Sequence, residues 1–324
     1  MVMTRKIVYP DAGESSARFL SGSRLAKLES LGEFVIFVDD QPDDDVLIER
    51  LAGANAAISG WGLSNAVLAA LPKLEVVSFT GLGASTFIDI AEANRRNTTV
   101  THTLSAAATI AEHTMGLMLA AARHIGRLDR EIRRGVWSTD LLAMDLRGKT
   151  LGLVGFGRIA EAVVPLAQAF GMTVICWTRN PDRERADKFG IEFTDLDELL
   201  SSSEVISLHL LSTPETDGLL DTKRLRSIKR GALLINTARS SLLDEAALVE
   251  LLKTGHIGAA GVDVFDNEPL AAGHAYLELE NIIMTPHVAY NTPEAVAAMY
   301  DTAIDNLVAY FAGEPQNVAT SAEI

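Results

Sequence analysis

Thr150-Leu151-Gly152-Leu153-Val154-Gly155-Phe156-Gly157-Arg158-Ile159-Ala160 is the stretch that decides the fold. A short apolar run feeds directly into a G-x-G-x-x-A turn, and a helical pattern follows it. Gly155 permits the tight turn, Gly157 lets the backbone come close to a pyrophosphate, and the small Ala160 lets helix and strand pack together, while helix N–H groups face the anion. With a strand before it and a helix after it, the motif points to dinucleotide binding. Pro165 lies about two turns into that helix, where it removes a backbone hydrogen bond, so the sequence predicts a local bend. An NAD-binding strand carries an Asp or Glu about 20 residues further on, for the ribose hydroxyls. Here the second strand ends Val174-Ile175-Cys176-Trp177-Thr178-Arg179-Asn180, with no acid at its tip. Thr178 and Arg179 suit a 2′-phosphate instead, Arg through charge-assisted hydrogen bonds, which favours NADP over NAD.

Outward from this unit, short β-rich runs alternate with helical patterns: Lys6–Tyr9, Phe34–Val38, Ala56–Ile58 and Glu75–Phe79 before it, and Thr173–Trp177, Val205–Leu210, Ala232–Asn236, Ala260–Phe265 and Ile282–Met284 after it. Such alternation predicts an α/β protein with parallel sheets and crossover helices. Continuous apolar strands suit a sheet covered on both faces. A chain of 324 residues is long enough for two domains, each with its own core. The helical run Ala106–Ile125 and the helix opened by Thr292-Pro293-Glu294 are the predicted crossings between them.

Forty-three acidic against 28 basic residues leave a net charge of −15, a field that repels nucleic-acid backbones and anionic lipid. The acidic stretch Asp39–Asp45 reads as a solvated loop leading into a helix. The single cysteine, Cys176, excludes an intrachain disulfide and suits a reducing compartment. No Cys/His spacing suggests a metal site. The apolar run near the N-terminus stops at Pro10, too short for a signal peptide, and Met115–Ala122 is too short to cross a membrane, so a soluble cytoplasmic protein is expected.

Three polar residues follow three strands of the second half: Arg239 after Ala232–Asn236, Glu268 after Ala260–Phe265, and His287 after Ile282–Met284. Groups just beyond the carboxyl ends of strands line the ligand crevice of an open α/β sheet, so these three can converge. Beside a dinucleotide loop, a guanidinium, a carboxylate and an imidazole suggest reduction of a ketone. His102, His113, His124, His209, His256 and His274 read as structural hydrogen-bonding residues.

At this point the chain resembles the D-isomer-specific 2-hydroxyacid dehydrogenases. GLGASTFIDI, IAEHTMGLMLAAAR, LRGKTLGLVGFGRIA, ISLHLLSTPETDGLL, GALLINTARSSLLDEAAL, GVDVFDNEPL and TPH occur in the family's order. The resemblance implies a Rossmann-type nucleotide-binding domain (residues 102–287) inserted in a flavodoxin-like substrate domain (1–101 and 288–324), an inter-domain cleft, and a homodimer. It implies His287 as the acid, Glu268 as its partner and Arg239 as the group that grips the substrate carboxylate. Cofactor contacts then fall on Gly155, Gly157, Arg158, Ile159, Thr178, Arg179, Ala238 and Asp263, the last at the nicotinamide carboxamide. Leu82 and Gly83, in the turn Gly81–Ala84, fall on the substrate-carboxylate loop. The implied reaction is transfer of a hydride between NAD(P)H and a small 2-oxoacid, with glyoxylate and hydroxypyruvate among the substrates. Ser240, Leu211 and Thr178 depart from the family's glycine, proline and acid. Ile58–Trp61 lacks the cation that phosphoglycerate-binding relatives carry. The alternative from another class is a dinucleotide-gated corepressor of the same fold.

Overall fold

The computed structural model describes residues 5–38 and 42–320, so Asp39, Asp40 and Gln41 of the acidic stretch lie outside it. Asp43 at the end of that stretch caps the helix Asp44–Leu51, its carboxylate accepting the Val46 N–H at 3.0 Å. The chain divides into two units, Met1–Ala106 with Asn291–Ile324, and Ala107–Tyr290. Each holds one parallel sheet.

The first unit contains β1 (Lys6–Ala12), β2 (Glu33–Val38), β3 (Ala56–Ser59), β4 (Val76–Phe79) and β5 (Thr99–Thr101), in the order β2-β1-β3-β4-β5. That is the doubly wound flavodoxin order. Pro10 sits inside β1 where the register with β2 shifts between Tyr9 and Ala12, a position that tolerates a missing N–H. The helix Pro293–Phe311 belongs to this unit. It buries Tyr300, Ile304 and Leu307 against Ile7, Tyr9 and Ile58, and its Tyr300 hydroxyl meets that of Tyr9 at 2.9 Å.

The second unit contains β6 (Thr150–Val154), β7 (Thr173–Trp177), β8 (Glu192–Phe193), β9 (Val205–Leu208), β10 (Leu233–Asn236), β11 (Ala259–Val262) and β12 (Ile282–Met284). Their order, β12-β11-β10-β9-β6-β7-β8, is the Rossmann order extended by a further strand. Leu151, Leu153, Leu233 and Ile235 pack on one face with Met115, Met118 and Ala121 of the helix Ala107–Ala122. Ile206, Leu208 and Leu234 pack on the other with Leu199, Leu248 and Leu251. Burial on both faces is why these strands read as uninterrupted apolar runs.

Every strand read from the sequence is present: β6, β7 and β12 keep the predicted ends, and the others shift. β9 stops at Leu208 and β11 at Val262, short of the predicted Leu210 and Phe265. His209 N–H and Asp263 N–H still reach Val154 O and Asn236 O at 2.8 and 3.0 Å, after which the chain peels away from the ladder. Two edge strands, β5 and β8, were not legible because three and two residues show no period. The helix Arg158–Ala169 continues through the predicted bend at Pro165 as a single element.

Candidate active site

β6 delivers the chain into the glycine turn at the switch point between β6 and β9, where an open sheet binds its ligand. Gly155 has φ +100°, and a Cβ there would lie 2.4 Å from His209 O, so the position accepts only glycine. Gly157 is different. Its φ is ordinary, and a Cβ built on it meets nothing within 4 Å. The fold itself therefore has room for a side chain at this position. Gly157 caps the helix with no side-chain hydrogen bond, which leaves the first-turn N–H groups of Arg158, Ile159 and Ala160 to an external acceptor. Ala160 is fully buried against the sheet. The cradle fits a pyrophosphate.

On the β7 side of the turn, Gly155 N–H donates to Trp177 O at 2.8 Å, followed by half-buried Thr178 and exposed Arg179. On the β9 side, the Thr213 hydroxyl, which donates to Glu215 Oε2 at 2.8 Å, is the main cause that holds Glu215 below the usual carboxylate range. Burial pushes the His209 imidazole down to about 4, which keeps it neutral beside the turn, with Nε2 on Ser207 Oγ at 2.9 Å. Burial also pushes the Cys176 thiol up to about 12, so it stays protonated and unreactive.

The three strand-end residues belong to this same unit. His287 Nδ1 lies 2.8 Å from Glu268 Oε2, while Glu268 Oε1 accepts the Phe265 N–H at 3.0 Å. One oxygen thus fixes its own loop and the other fixes the imidazole. A carboxylate accepts only, so Nδ1 carries a hydrogen and Nε2 is the ring nitrogen that this contact leaves unengaged. Arg239 feels the Glu268 charge as well: burial lowers its pKa, and the carboxylate opposes that shift. The turn bearing Arg239 is clasped by Asn236, whose side chain accepts the Ala238 N–H at 3.0 Å and donates to Arg239 O at 2.8 Å. Sequence reasoning missed Asn236.

Asp263 is fully buried and spends both oxygens on the His287 turn. Oδ1 accepts from the Thr285 hydroxyl at 2.5 Å and from Val288 N–H at 3.0 Å, and Oδ2 accepts from Ala289 N–H at 2.9 Å. His113, on the helix Ala107–Ala122, meets Thr285 Oγ1 at 3.0 Å. Because the Thr285 proton goes to Asp263, His113 Nε2 is the donor in that contact. His287 itself has φ +52°, a left-handed conformation uncommon outside glycine, and the Asp263 clamp is what sustains it. Asp263 therefore anchors the turn that presents the imidazole, a task the sequence did not reveal.

Leu82 and Gly83 lie in the other unit, at the carboxyl end of β4. Gly83 is left-handed at φ +71° and starts a short 3-10 turn, Ala84–Thr86.

Residues 115–289 match the family profile described as "D-isomer specific 2-hydroxyacid dehydrogenase, NAD binding domain". A glyoxylate reductase of Korarchaeum cryptofilum (strain OPF8) is 35% identical over 304 residues, 91% of this chain and 91% of that protein. An NADPH-dependent glyoxylate/hydroxypyruvate reductase from Sinorhizobium meliloti, solved with NADP and malonate, superposes with a TM-score of 0.86 at 28% identity, covering 98% of this chain and 97% of that one. An acyclic imino acid reductase solved with NADPH and D-Arg superposes with a TM-score of 0.88 at 29% identity, covering 97% and 100%. With its glycine cradle, its Glu268–His287 pair and relatives matched along nearly their whole length, the chain belongs to the D-isomer-specific 2-hydroxyacid dehydrogenases, enzymes that work with a nicotinamide dinucleotide.

Proposed function

We propose that this enzyme reduces a small 2-oxoacid of the glyoxylate or hydroxypyruvate type to its D-2-hydroxyacid, with NADPH preferred over NADH. The Glu268–His287 contact carries the reading, because it leaves Nε2 as the proton donor at the ketone oxygen. When bound in the glycine cradle, a reduced nicotinamide dinucleotide would supply the hydride for the 2-oxo carbon. Negative charge then develops on the ketone oxygen, and His287 Nε2–H delivers the proton there. Glu268 stabilises the imidazolium beforehand and holds the ring in one tautomer. Arg239 presents a planar fork of donors to the substrate carboxylate and polarises the carbonyl. Arg158, Ile159 and Ala238 offer main-chain groups to the dinucleotide, and Asp263 acts on the nicotinamide end only through the His287 turn that it holds.

Thr178 and Arg179 support NADP: they stand where an acid would bind ribose hydroxyls, and Arg179 is exposed at the strand tip. Absorbance at the nicotinamide band, with both reduced cofactors and a panel of 2-oxoacids, tests the whole proposal. NADPH should be consumed with glyoxylate or hydroxypyruvate, and Arg179→Ala should raise KM for NADPH about tenfold while leaving NADH unchanged, the loss of one charge-assisted contact. A wild-type preference for NADH would refute the cofactor assignment. Consumption only when an amine is added would move the substrate to imines, and dinucleotide binding without turnover would favour the protein-docking alternative.

A homodimer and a cytoplasmic location complete the proposal. Trp137 and Leu142 are 85% and 89% exposed, near the exposed Ile125, Ile132 and Val136, and a second copy of the chain would cover them. The free, buried Cys176 fits a reducing compartment. Light scattering should give twice the 34.8 kDa chain mass, and a monomer at micromolar concentration would refute the dimer.

A further inference from the structure

We propose that Arg185 is a positioning residue for the dinucleotide: it sets the orientation of the peptide between Phe156 and Gly157 and so aims the Gly157 N–H at the phosphates. The inference rests on the reading of Gly155–Ala160 as the pyrophosphate turn.

Arg185 lies on the helix Arg183–Phe189, whose cap Asp182 follows closely on Thr178 and Arg179. Its Nη2 donates to Phe156 O at 2.6 Å and to Glu161 Oε1 at 2.7 Å, and its guanidinium carbon stands 4.8 Å from the centre of the Phe156 ring. One cation therefore contacts the middle residue of the glycine turn twice, through its carbonyl and its ring, and ties both to the first turn of the helix Arg158–Ala169.

A trans peptide is planar, with its C=O and N–H pointing in opposite directions. Drawing the Phe156 carbonyl towards Arg185 consequently turns the Gly157 N–H away from it. Two residues earlier, the Gly155 N–H is held by Trp177 O at 2.8 Å, so the turn is pinned at the Val154–Gly155 and Phe156–Gly157 peptides, one on each side of Gly155–Phe156. Flanking glycines leave this segment little intrinsic rigidity, since neither has a side chain to restrict it. Without Arg185 the Phe156–Gly157 peptide is free to rotate, and the dinucleotide would have to order it on binding.

The fold does not depend on this contact. The Phe156 ring is buried edge-on against Phe189 and Phe193, with centroids 5.5 Å away in both cases, and Arg185 sits at the half-exposed margin of that cluster. A variant without the guanidinium keeps the aromatic packing, so stability and turn order can be separated.

The test is Arg185→Met, Arg185→Lys and Gly157→Val in the full chain, with NADPH affinity read by fluorescence titration and kcat measured at saturating NADPH. Arg185→Met should raise the NADPH Kd and KM about tenfold, the worth of one charge-assisted hydrogen bond, with kcat and the 2-oxoacid KM within twofold of wild type. Arg185→Lys, which retains the cation and a donor, should recover part of that loss. An unchanged Kd in Arg185→Met, or a kcat that falls in step with Kd, overturns the inference. If Arg185→Met does not fold, Arg185→Lys decides in the same way: a severalfold higher Kd at constant kcat supports the assignment, and an unchanged Kd refutes it. Gly157→Val, whose Cβ meets no protein atom, should abolish NADPH binding in a folded enzyme. Undiminished binding there would instead sink the pyrophosphate reading itself, separately from any result at Arg185.

Discussion

Replacing His287 with alanine should lower kcat by at least ~100-fold, the lower bound for losing a positioned general acid, while NADPH binds as before. The expectation follows from how Glu268 is used. With one carboxylate oxygen on Phe265 N–H and the other on His287 Nδ1, the ring presents a single nitrogen, Nε2, for proton transfer. The His287 side chain is about one-third exposed, so its removal empties no core. Backbone strain is the competing explanation for a damaged variant, because residue 287 is left-handed. His287→Asn controls for it, since asparagine tolerates that conformation better than most residues but transfers no proton at neutral pH. Both variants should lose turnover together. Stopped-flow or steady-state absorbance at the nicotinamide band reads the loss, and a near-normal kcat in either would remove His287 from the reaction. Glu268→Gln should fall between, because an amide oxygen can still accept the Nδ1 hydrogen but brings no negative charge to stabilise the imidazolium.

Arg239→Ala should cost roughly 10²- to 10³-fold in kcat/KM for the 2-oxoacid, as expected when a donor aimed at developing oxyanion charge is lost. Arg239→Lys should recover little. A lysine offers a compact point charge, whereas the guanidinium forks to two acceptors in one plane. The surrounding backbone makes the prediction clean. Asn236 holds the turn through Ala238 N–H and Arg239 O, both main-chain groups that survive substitution at 239. The dinucleotide KM should therefore stay within about twofold of wild type, since both Asn236 bonds keep the turn in place although the Arg239 Nη1 bond to Ala238 O at 2.6 Å is lost. Full recovery in the lysine variant would show that charge alone matters, and the bidentate role would be wrong.

Much of this enzyme is legible in its residues, for reasons that can be named one by one. Gly155 announces itself because the turn after β6 imposes a positive φ and a contact with His209 O that no Cβ survives. The sheets announce themselves because strands covered on both faces must be apolar throughout, as Leu151–Val154 and Leu233–Ile235 are. Arg239, Glu268 and His287 are recognisable because each follows a strand of one sheet, and parallel connectivity brings the ends of those strands to one edge.

Other features were hidden because their meaning lies in partners distant in the chain. Nothing local marks Asp263 as the anchor of Val288 and Ala289, 25 and 26 residues away, until β11 and β12 lie side by side. Asn236 reads as the end of a strand until its amide is seen clasping the next turn, and Arg185 reads as a surface cation until β7 carries its helix back over Phe156. Steric rules and hydrophobic pattern act along the chain, so the sequence alone determined the α/β class and the glycine turn after β6, and it singled out Arg239, Glu268 and His287 as candidates at the ends of neighbouring strands. Hydrogen bonds between strand ends act across the sheet, so only the tertiary structure decided which tautomer His287 presents, what holds its left-handed backbone, and which cation meets the Phe156 carbonyl in the glycine turn.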